Sequence, residues 1–363
     1  MTSPTPRPGI LKITPYVGGD THIEGHGRVI KLASNESALG PSPKAISAYQ
    51  SIEDQLHRYP DGSAKKLRKT IGETHGLNPE QIVCGNGSDE LLDMLARAYA
   101  GPGDEVLYSQ YGFLVYRISA SGVGATPIAA PESDYRASVD ALIGLASEKT
   151  RVVYIANPNN PTGTYLNEDD LMRLRRGLPD SSVLVIDAAY AEFVSNMDYS
   201  SGIELVDRFK SVVMTRTFSK AYGLAALRLG WAYCPPNIVD VLNRLRQPFN
   251  VTAQAQAAGS AALTDIDHLN AARIHNDKWC TELRDGLDKI GFYTIPSAAN
   301  FLLTQFSSPK AAENANRHLR KDGIIVREMG AYHLPNCLRI TVGKEEENIL
   351  LLQSLSRYST ETG

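Results

Sequence analysis

From about Arg58 onward, short apolar runs alternate with amphipathic stretches. That alternation predicts βαβ units and a mostly parallel sheet. Five runs stand out: Gln81-Ile-Val-Cys84, Glu105-Val-Leu-Tyr108, Arg151-Val-Val-Tyr-Ile-Ala156, Ser182-Val-Leu-Val-Ile186 and Ser211-Val-Val-Met214. Each is followed by polar or glycine-rich residues. Ligands of open α/β sheets bind beyond the carboxyl ends of the strands, so the five runs point their chemistry to one edge. The pattern then changes. Residues Thr252 to Lys289 are Ala-rich with few breakers and predict long helices. After Pro296 come short strands (Asn300 to Phe306, Gly323 to Arg327, Cys337 to Val342) mixed with helices. That suits a separate α+β module, with the helical stretch as the bridge. Met1 to about Arg28 is rich in Pro, Gly and Thr and predicts an irregular arm.

Composition narrows the classes. The 363 residues are 42% hydrophobic and 21% charged, with a net charge of −3. Those are globular proportions, and they give no reason to expect nucleic acid or an anionic membrane as partner. Cys84, Cys234, Cys280 and Cys337 lack CxxC or Cys/His spacing, so reduced thiols in a cytoplasmic protein are expected rather than a disulfide framework or zinc site. The eight histidines show no ligand spacing, and no metal is expected. The N-terminus lacks the apolar core of a signal peptide, and no run is long enough to span a bilayer.

Certain residues carry chemistry. Lys220 follows a strand and lies in Thr217-Phe-Ser-Lys-Ala-Tyr-Gly-Leu-Ala-Ala-Leu-Arg228. A lone lysine is nearly always an ordinary surface residue. A walled one has a lowered pKa and serves as a Schiff-base nucleophile or proton shuttle. Thr217, Ser219 and Arg228 beside it suit a phosphate. Asp187 ends a fully apolar run, and a buried carboxylate needs a partner. A protonated pyridine nitrogen is one such partner, and Tyr190 stands three residues on to reach the same ring; a plain helix N-cap is the bland alternative. Asn157-Pro-Asn-Asn160-Pro-Thr-Gly163 is a turn by composition, with Asn160 available as a donor. Gly85-Asn-Gly87-Ser88-Asp89 opens a helix whose first amides make an anion site, or else Ser88 or Asp89 simply caps it. Gly122-Val-Gly-Ala125 lacks the third glycine of a dinucleotide fingerprint and reads as a turn before a strand.

Together these residues resemble the fold-type-I pyridoxal-phosphate aminotransferases. The resemblance rests on the NPNNPTG turn, the strand-end Asp187 with Tyr190, the lysine segment, and Arg339 in Cys-Leu-Arg-Ile-Thr-Val-Gly343; it runs from about Lys31 to Gly343. Within that superfamily, Leu32 to Pro43, Arg58-Tyr-Pro-Asp-Gly62, Gly85 to Glu90, Gln247-Pro-Phe-Asn-Val251 and Val326 to Arg339 resemble the histidinol-phosphate aminotransferases. Ser37-Ala38 departs from that family's Asn-Pro. The implied fold is α/β: a large domain with a mostly parallel sheet in a three-layer α/β/α sandwich, plus a smaller α+β domain. The implied divisions are an arm over 1–30, a linker or part of the small domain over 31–57, a large cofactor domain over 58–260 and a small domain over 261–363.

The resemblance also implies roles. Lys220 would hold pyridoxal 5'-phosphate as a Schiff base. Asp187 would pair with the ring nitrogen, and Tyr190 and Asn160 would contact the ring oxygen. Gly87, Ser88, Asp89, Thr217, Ser219 and Arg228 would surround the phosphate. Phe113, with Tyr111 as the alternative, would stack on the ring. Tyr59 would reach the cofactor of a neighbouring subunit, which makes the expected partner a second copy in a homodimer with shared sites. Arg327 and Arg339 would take the anionic end of small-molecule substrates, with Asn35 and Tyr16 at the mouth. The implied reaction is transfer of the amino group of L-histidinol phosphate to 2-oxoglutarate in histidine biosynthesis. An aromatic (Phe/Tyr) aminotransferase and a threonine-phosphate decarboxylase-like lyase share the scaffold. A cofactor-sensing regulator would need a DNA-binding module, and the residues before Lys31 are too few and too proline-rich for one.

Overall fold

The computed structural model describes residues 4–7, 9–25 and 27–362; of the predicted arm, residues 1–3, 8 and 26 lie outside the described residues. The strands are β1 (Ile30–Leu32), β2 (Ile82–Asn86), β3 (Glu105–Ser109), β4 (Thr126–Ala130), β5 (Glu132–Ser133), β6 (Arg136–Ala137), β7 (Thr150–Ala156), β8 (Val183–Asp187), β9 (Val212–Thr217) and β10 (Leu229–Tyr233). β11 (Tyr293–Ile295), β12 (Phe301–Gln305), β13 (Ile324–Glu328) and β14 (Cys337–Thr341) follow. The helices are α1 (Pro43–Gln50), α2 (Lys65–His75), α3 (Ser88–Tyr99), α4 (Leu114–Val123), α5 (Val139–Leu145) and α6 (Glu168–Gly177). Then come α7 (Ile203–Arg208), α8 (Pro236–Leu245), α9 (Ala253–Leu263), α10 (Ile266–Lys289), α11 (Pro309–Lys321) and α12 (Glu345–Thr362).

A seven-stranded sheet runs β2-β10-β9-β8-β7-β3-β4, and β10 alone runs against the others. All five apolar runs read from the sequence are therefore codirectional strands that end on one edge. Alternation assigns the faces. Val153, Ile155, Leu184, Ile186, Val212 and Met214 pack on the side of α2, α6 and α9. Val152, Tyr154, Val183, Val185 and Val213 pack on the side of α3, α4 and α8. These layers make the α/β/α sandwich. The same alternation carries Asp187, Thr215 and Thr217 onto the α3/α4 side. It carries Arg216 onto the other.

A five-stranded sheet, β1-β13-β14-β12-β11, forms the smaller α+β part, covered by α10, α11 and α12. β1 comes from just after the arm, yet it pairs with β13. The Ala-rich stretch forms α9 and α10, as its composition predicts. β10 was hidden from the sequence pattern. Its Leu-Gly-Trp-Ala-Tyr run directly follows the lysine segment and reads as part of it.

β10 also fixes the start of α3. Gly230 lies opposite Gly85 and Thr217, and a Cβ there would sit 2.3 Å from the Ser88 nitrogen. Glycine is needed for that close approach. Gly230→Ala is expected to cost about 1–3 kcal/mol in denaturant unfolding. Gly122→Ala, in open space on α4, is expected to be neutral or to gain up to about 1 kcal/mol. Equal unfolding midpoints for the two variants would refute this account of the α3 start.

A candidate active site at the strand ends

Where β7, β8 and β9 end against β13 and β14, the described residues enclose a cleft of about 500 Å³. Tyr16, Asn35, Ser88, Asp89, Phe113, Asn160, Asp187, Tyr190, Thr217, Ser219, Lys220, Arg228, Arg327 and Arg339 all line it. Residues from distant parts of the chain thus meet in one place. Tyr59 does not line it. It is 82% exposed and stacks on Phe249, with ring centroids 4.6 Å apart.

Asp187 is buried at the end of β8. Its Oδ2 accepts from the Tyr116 hydroxyl at 2.8 Å, and its Oδ1 accepts from Thr215 Oγ1 at 3.2 Å. No cation pairs with it among the described residues. Burial pushes its pKa up to about 6, against the pull of the Tyr116 hydroxyl. The N-cap alternative fails here, because β8 runs into a turn and a short 3-10 helix at Ala191–Phe193 capped by no side chain.

Lys220 Nζ donates to the Ser34 carbonyl at 3.2 Å and lies 5.7 Å from the centroid of the Tyr190 ring. Burial of the ammonium, with the charge on Arg339, lowers its pKa to about 8. The neutral, nucleophilic amine is therefore well populated near neutral pH.

Two donors remain available beside it. The Asn160 Oδ1 accepts from Arg339 Nη1, and the Asn160 Nδ2 meets no acceptor among the described residues. Tyr190 accepts at its hydroxyl oxygen from Asn35 Nδ2 at 2.8 Å, so its own hydroxyl hydrogen is free. Asn35 takes a left-handed φ of 54° to do this and is braced by Thr341 Oγ1 at 3.1 Å. Phe113 lines the cleft, edge-on to Tyr116, whereas Tyr111 packs away from it against Tyr135.

At the start of α3, Gly87 is the N-cap, at φ 80°, and no side chain caps the helix. Simple capping by Ser88 or Asp89 is therefore not realised. The amides of Ser88 and Asp89 meet no acceptor among the described residues. A Cβ on Gly87 would fall 2.5 Å from Arg228 Nη2, so the glycine lets the guanidinium in. Thr217 Oγ1 lies 3.1 Å from Ser219 Oγ, and Arg228 reaches both Ser219 (3.4 Å) and Asp89 (3.2 Å). Open helix amides, two hydroxyls and a guanidinium make a cradle for a phosphate-sized anion. The Asp89 carboxylate repels such an anion, so Asp89 suits the cradle through its backbone amide.

Arg327 and Arg339 are directly opposed on β13 and β14. Like charges in that position are destabilising. Arg339 is buried; its Nη2 donates to the Ala33 carbonyl at 2.8 Å, and its Nε has no partner among the described residues. Arg327 donates to the Val17 carbonyl of the arm. Neither forms an ion pair with a carboxylate among the described residues. Two uncompensated guanidinium groups in a cleft are suited to an anionic ligand.

Sequence reasoning missed Tyr116, Thr215, Ser34 and Glu36. The last two line the cleft, and Glu36 forms an ion pair with Lys31 at 3.0 Å. Only the alternation that puts Thr215 on the same face as Thr217 was open to sequence inspection; its place beside Asp187 is set by the β8–β9 register.

Comparison with known proteins shows the family. Residues 27–355 match the aminotransferase class I and II family. The histidinol-phosphate aminotransferase of Paramagnetospirillum magneticum is 55% identical over 360 residues, covering 99% of both chains. That of Rhodospirillum centenum is 54% identical, covering 96% of both. The solved structure of histidinol-phosphate aminotransferase from Sinorhizobium meliloti, in complex with pyridoxal 5'-phosphate, is 28% identical and covers 98% of both chains with a TM-score of 0.91. On its sequence, its fold and the residues gathered at its strand ends, the chain belongs to the aminotransferase class I and II family.

Proposed function

We propose that the protein transfers the amino group of L-histidinol phosphate to 2-oxoglutarate, giving imidazole-acetol phosphate and glutamate in cytoplasmic histidine biosynthesis. The cofactor is pyridoxal phosphate. The observation that carries the substrate reading is the opposed pair Arg327 and Arg339, one of them buried, with no carboxylate to neutralise either. A site that accepts a phosphate monoester and a dicarboxylate in turn needs guanidinium forks that suit both. Identity of 47–55% to histidinol-phosphate aminotransferases points the same way.

The residues present fit the cofactor. Amides at the α3 start, with Thr217, Ser219 and Arg228, would hold its phosphate. Asp187 would hold a proton on the ring nitrogen, the cation its buried carboxylate lacks. Tyr190 and Asn160 would donate to the ring oxygen, and Phe113 would cover the ring face. Bound there, pyridoxal phosphate supplies an electron-poor ring that takes up the electrons released at the substrate Cα. Lys220 Nζ then moves the Cα proton as general base and acid; its lowered pKa suits both directions near neutral pH. Arg327 and Arg339 orient the substrate anion, and Asn35 and Tyr16 close the mouth. Tyr59, exposed on its own chain, would complete the phosphate site of a second copy in a homodimer.

A donor panel run with 2-oxoglutarate tests the substrate. Histidinol phosphate is expected to exceed phenylalanine, tyrosine and histidine in kcat/KM, and a preference for phenylalanine would overturn the assignment. Arg339→Met is expected to lower kcat/KM for both anionic substrates by about 30-fold or more, the cost of a lost buried charge contact. Lys220→Ala should abolish the visible absorption band and turnover; normal activity in that variant would sink the proposal.

Asp187 gives a test in the cofactor-free protein. An acid whose folded pKa (about 6) lies above its ordinary 3.8 lowers stability as pH rises between those values, and the full cost is present above about 6. Asp187→Asn is therefore expected to raise cofactor-free stability at pH 7–8 by on the order of 1–3 kcal/mol, the gain vanishing below about pH 4. It should weaken cofactor binding at the same time. A pH-independent difference in unfolding free energy between the two proteins would contradict the burial account.

A further inference from the structure

On the face of the large sheet opposite the cleft, a second polar cluster is buried that the reaction does not use directly. Arg216 projects there from β9, between Thr215 and Thr217, which project toward the cleft. Its Nη1 pairs with Glu192 Oε1 at 3.3 Å, and the two side chains are only 11% and 4% exposed. The guanidinium stands 5.8 Å from the ring centroid of Trp231, its cross-strand neighbour. Tyr222 is buried on the same side and feels the charges of both Glu192 and Arg216. Glu192 Oε2, Arg216 Nε and the Tyr222 hydroxyl have no partner among the described residues. Arg273 of α10 and Tyr199 also act on this group electrostatically.

A buried ion pair with unfilled valences is a poor way to stabilise a fold, and apolar residues of similar volume do as well or better. Its placement is what distinguishes it. Glu192 follows Tyr190 by two residues. Tyr222 follows Lys220 by two. Arg216 separates the threonine that bonds Asp187 from the threonine of the anion cradle. Each member belongs to one of the three segments that carry the cleft's polar groups. Buried charges hold direction-dependent contacts that an apolar patch does not.

We infer that Glu192 and Arg216 are positioning residues, a buried tie that sets Tyr190 and the Thr215–Thr217 strand end, and with it the Lys220 segment that follows, in mutual register from beneath the sheet. The inference rests on the amino-transfer reading of the cleft. It separates geometry from stability, and that separation is testable.

Three variants are compared with the parent as holoenzymes: Tyr222→Phe, Glu192→Gln and the double replacement Glu192→Leu with Arg216→Met. Each is measured for kcat, for KM with both substrates, for the pH midpoint of the visible cofactor band, and for the Tm of the cofactor-free form. The double replacement is expected to keep or raise Tm while kcat falls on the order of 10–100-fold, the cost of small misplacement at the reacting atoms. KM should stay within about threefold, since the anion contacts of Arg327 and Arg339 are untouched. The pH midpoint should move in both variants that change Glu192 and stay parental in Tyr222→Phe, whose hydroxyl meets no partner among the described residues. A lowered Tm with parental kcat and midpoint would overturn the inference, because it would make the cluster purely structural. Glu192→Gln keeps the shape of the side chain and removes only its charge, so it decides the matter if the double replacement does not fold. A parent that binds the cofactor yet transfers no amino group would refute the reaction reading, and the midpoint shift would still judge the tie.

Discussion

No cation of the described chain reaches the carboxylate of Asp187, and the geometry of the cleft follows from keeping it so. The β8 strand delivers the carboxylate to a buried position where the Tyr116 and Thr215 hydroxyls meet it. Lys220, which follows the neighbouring strand, is held on the Ser34 carbonyl instead. Burial then works in opposite directions on the two groups, raising the acid to about 6 and lowering the amine to about 8. Had they paired, each would have returned toward its ordinary value and lost its readiness to react. The arginines repeat the logic with the sign reversed, because Arg339 is buried without a counter-anion. The cleft is thus complementary to a ligand with a ring cation at one end and anions at the others.

Sheet topology keeps these charges apart. Strands β7, β8 and β9 set Asn160, Asp187 and Lys220 side by side on one edge, and pleating decides which neighbours share a face. Thr215 and Thr217 turn to the cleft, and Arg216 turns away with Trp231. The antiparallel return of β10 brings Gly230 under the first turn of α3, which leaves its amides open and close to Arg228. The small sheet then closes over this edge with its two arginines.

Much of this was legible in the chain. Lys220, Asp187, Asn160 and the glycines before Ser88 follow apolar runs directly, and the end of a parallel strand is a fixed address. Tyr116 was not legible, because its bond to Asp187 depends on how α4 settles on the sheet, 71 residues away in sequence. Glu192 and Arg216 were missed for a different reason. Charged residues within an apolar pattern read as solvated, and only tertiary packing shows them facing each other in the interior. Strand β10 was absorbed into the lysine segment because no turn signal separates Arg228 from Leu229. Tyr59 lies outside the cleft of its own chain, and the role that the resemblance implies for it needs a second one.

The unsatisfied groups also bear on stability. Arg339 Nε, the opposed arginines, the Asp187 carboxylate and the open α3 amides each raise the free energy of the cofactor-free fold. They lie on different elements, β8, β13, β14 and α3, so the cost is spread over both sheets. A single ligand that meets them together recovers these separate penalties at one stroke, and its binding stabilises the folded state accordingly. The two sheets are then held against each other by what lies between them as well as by α10.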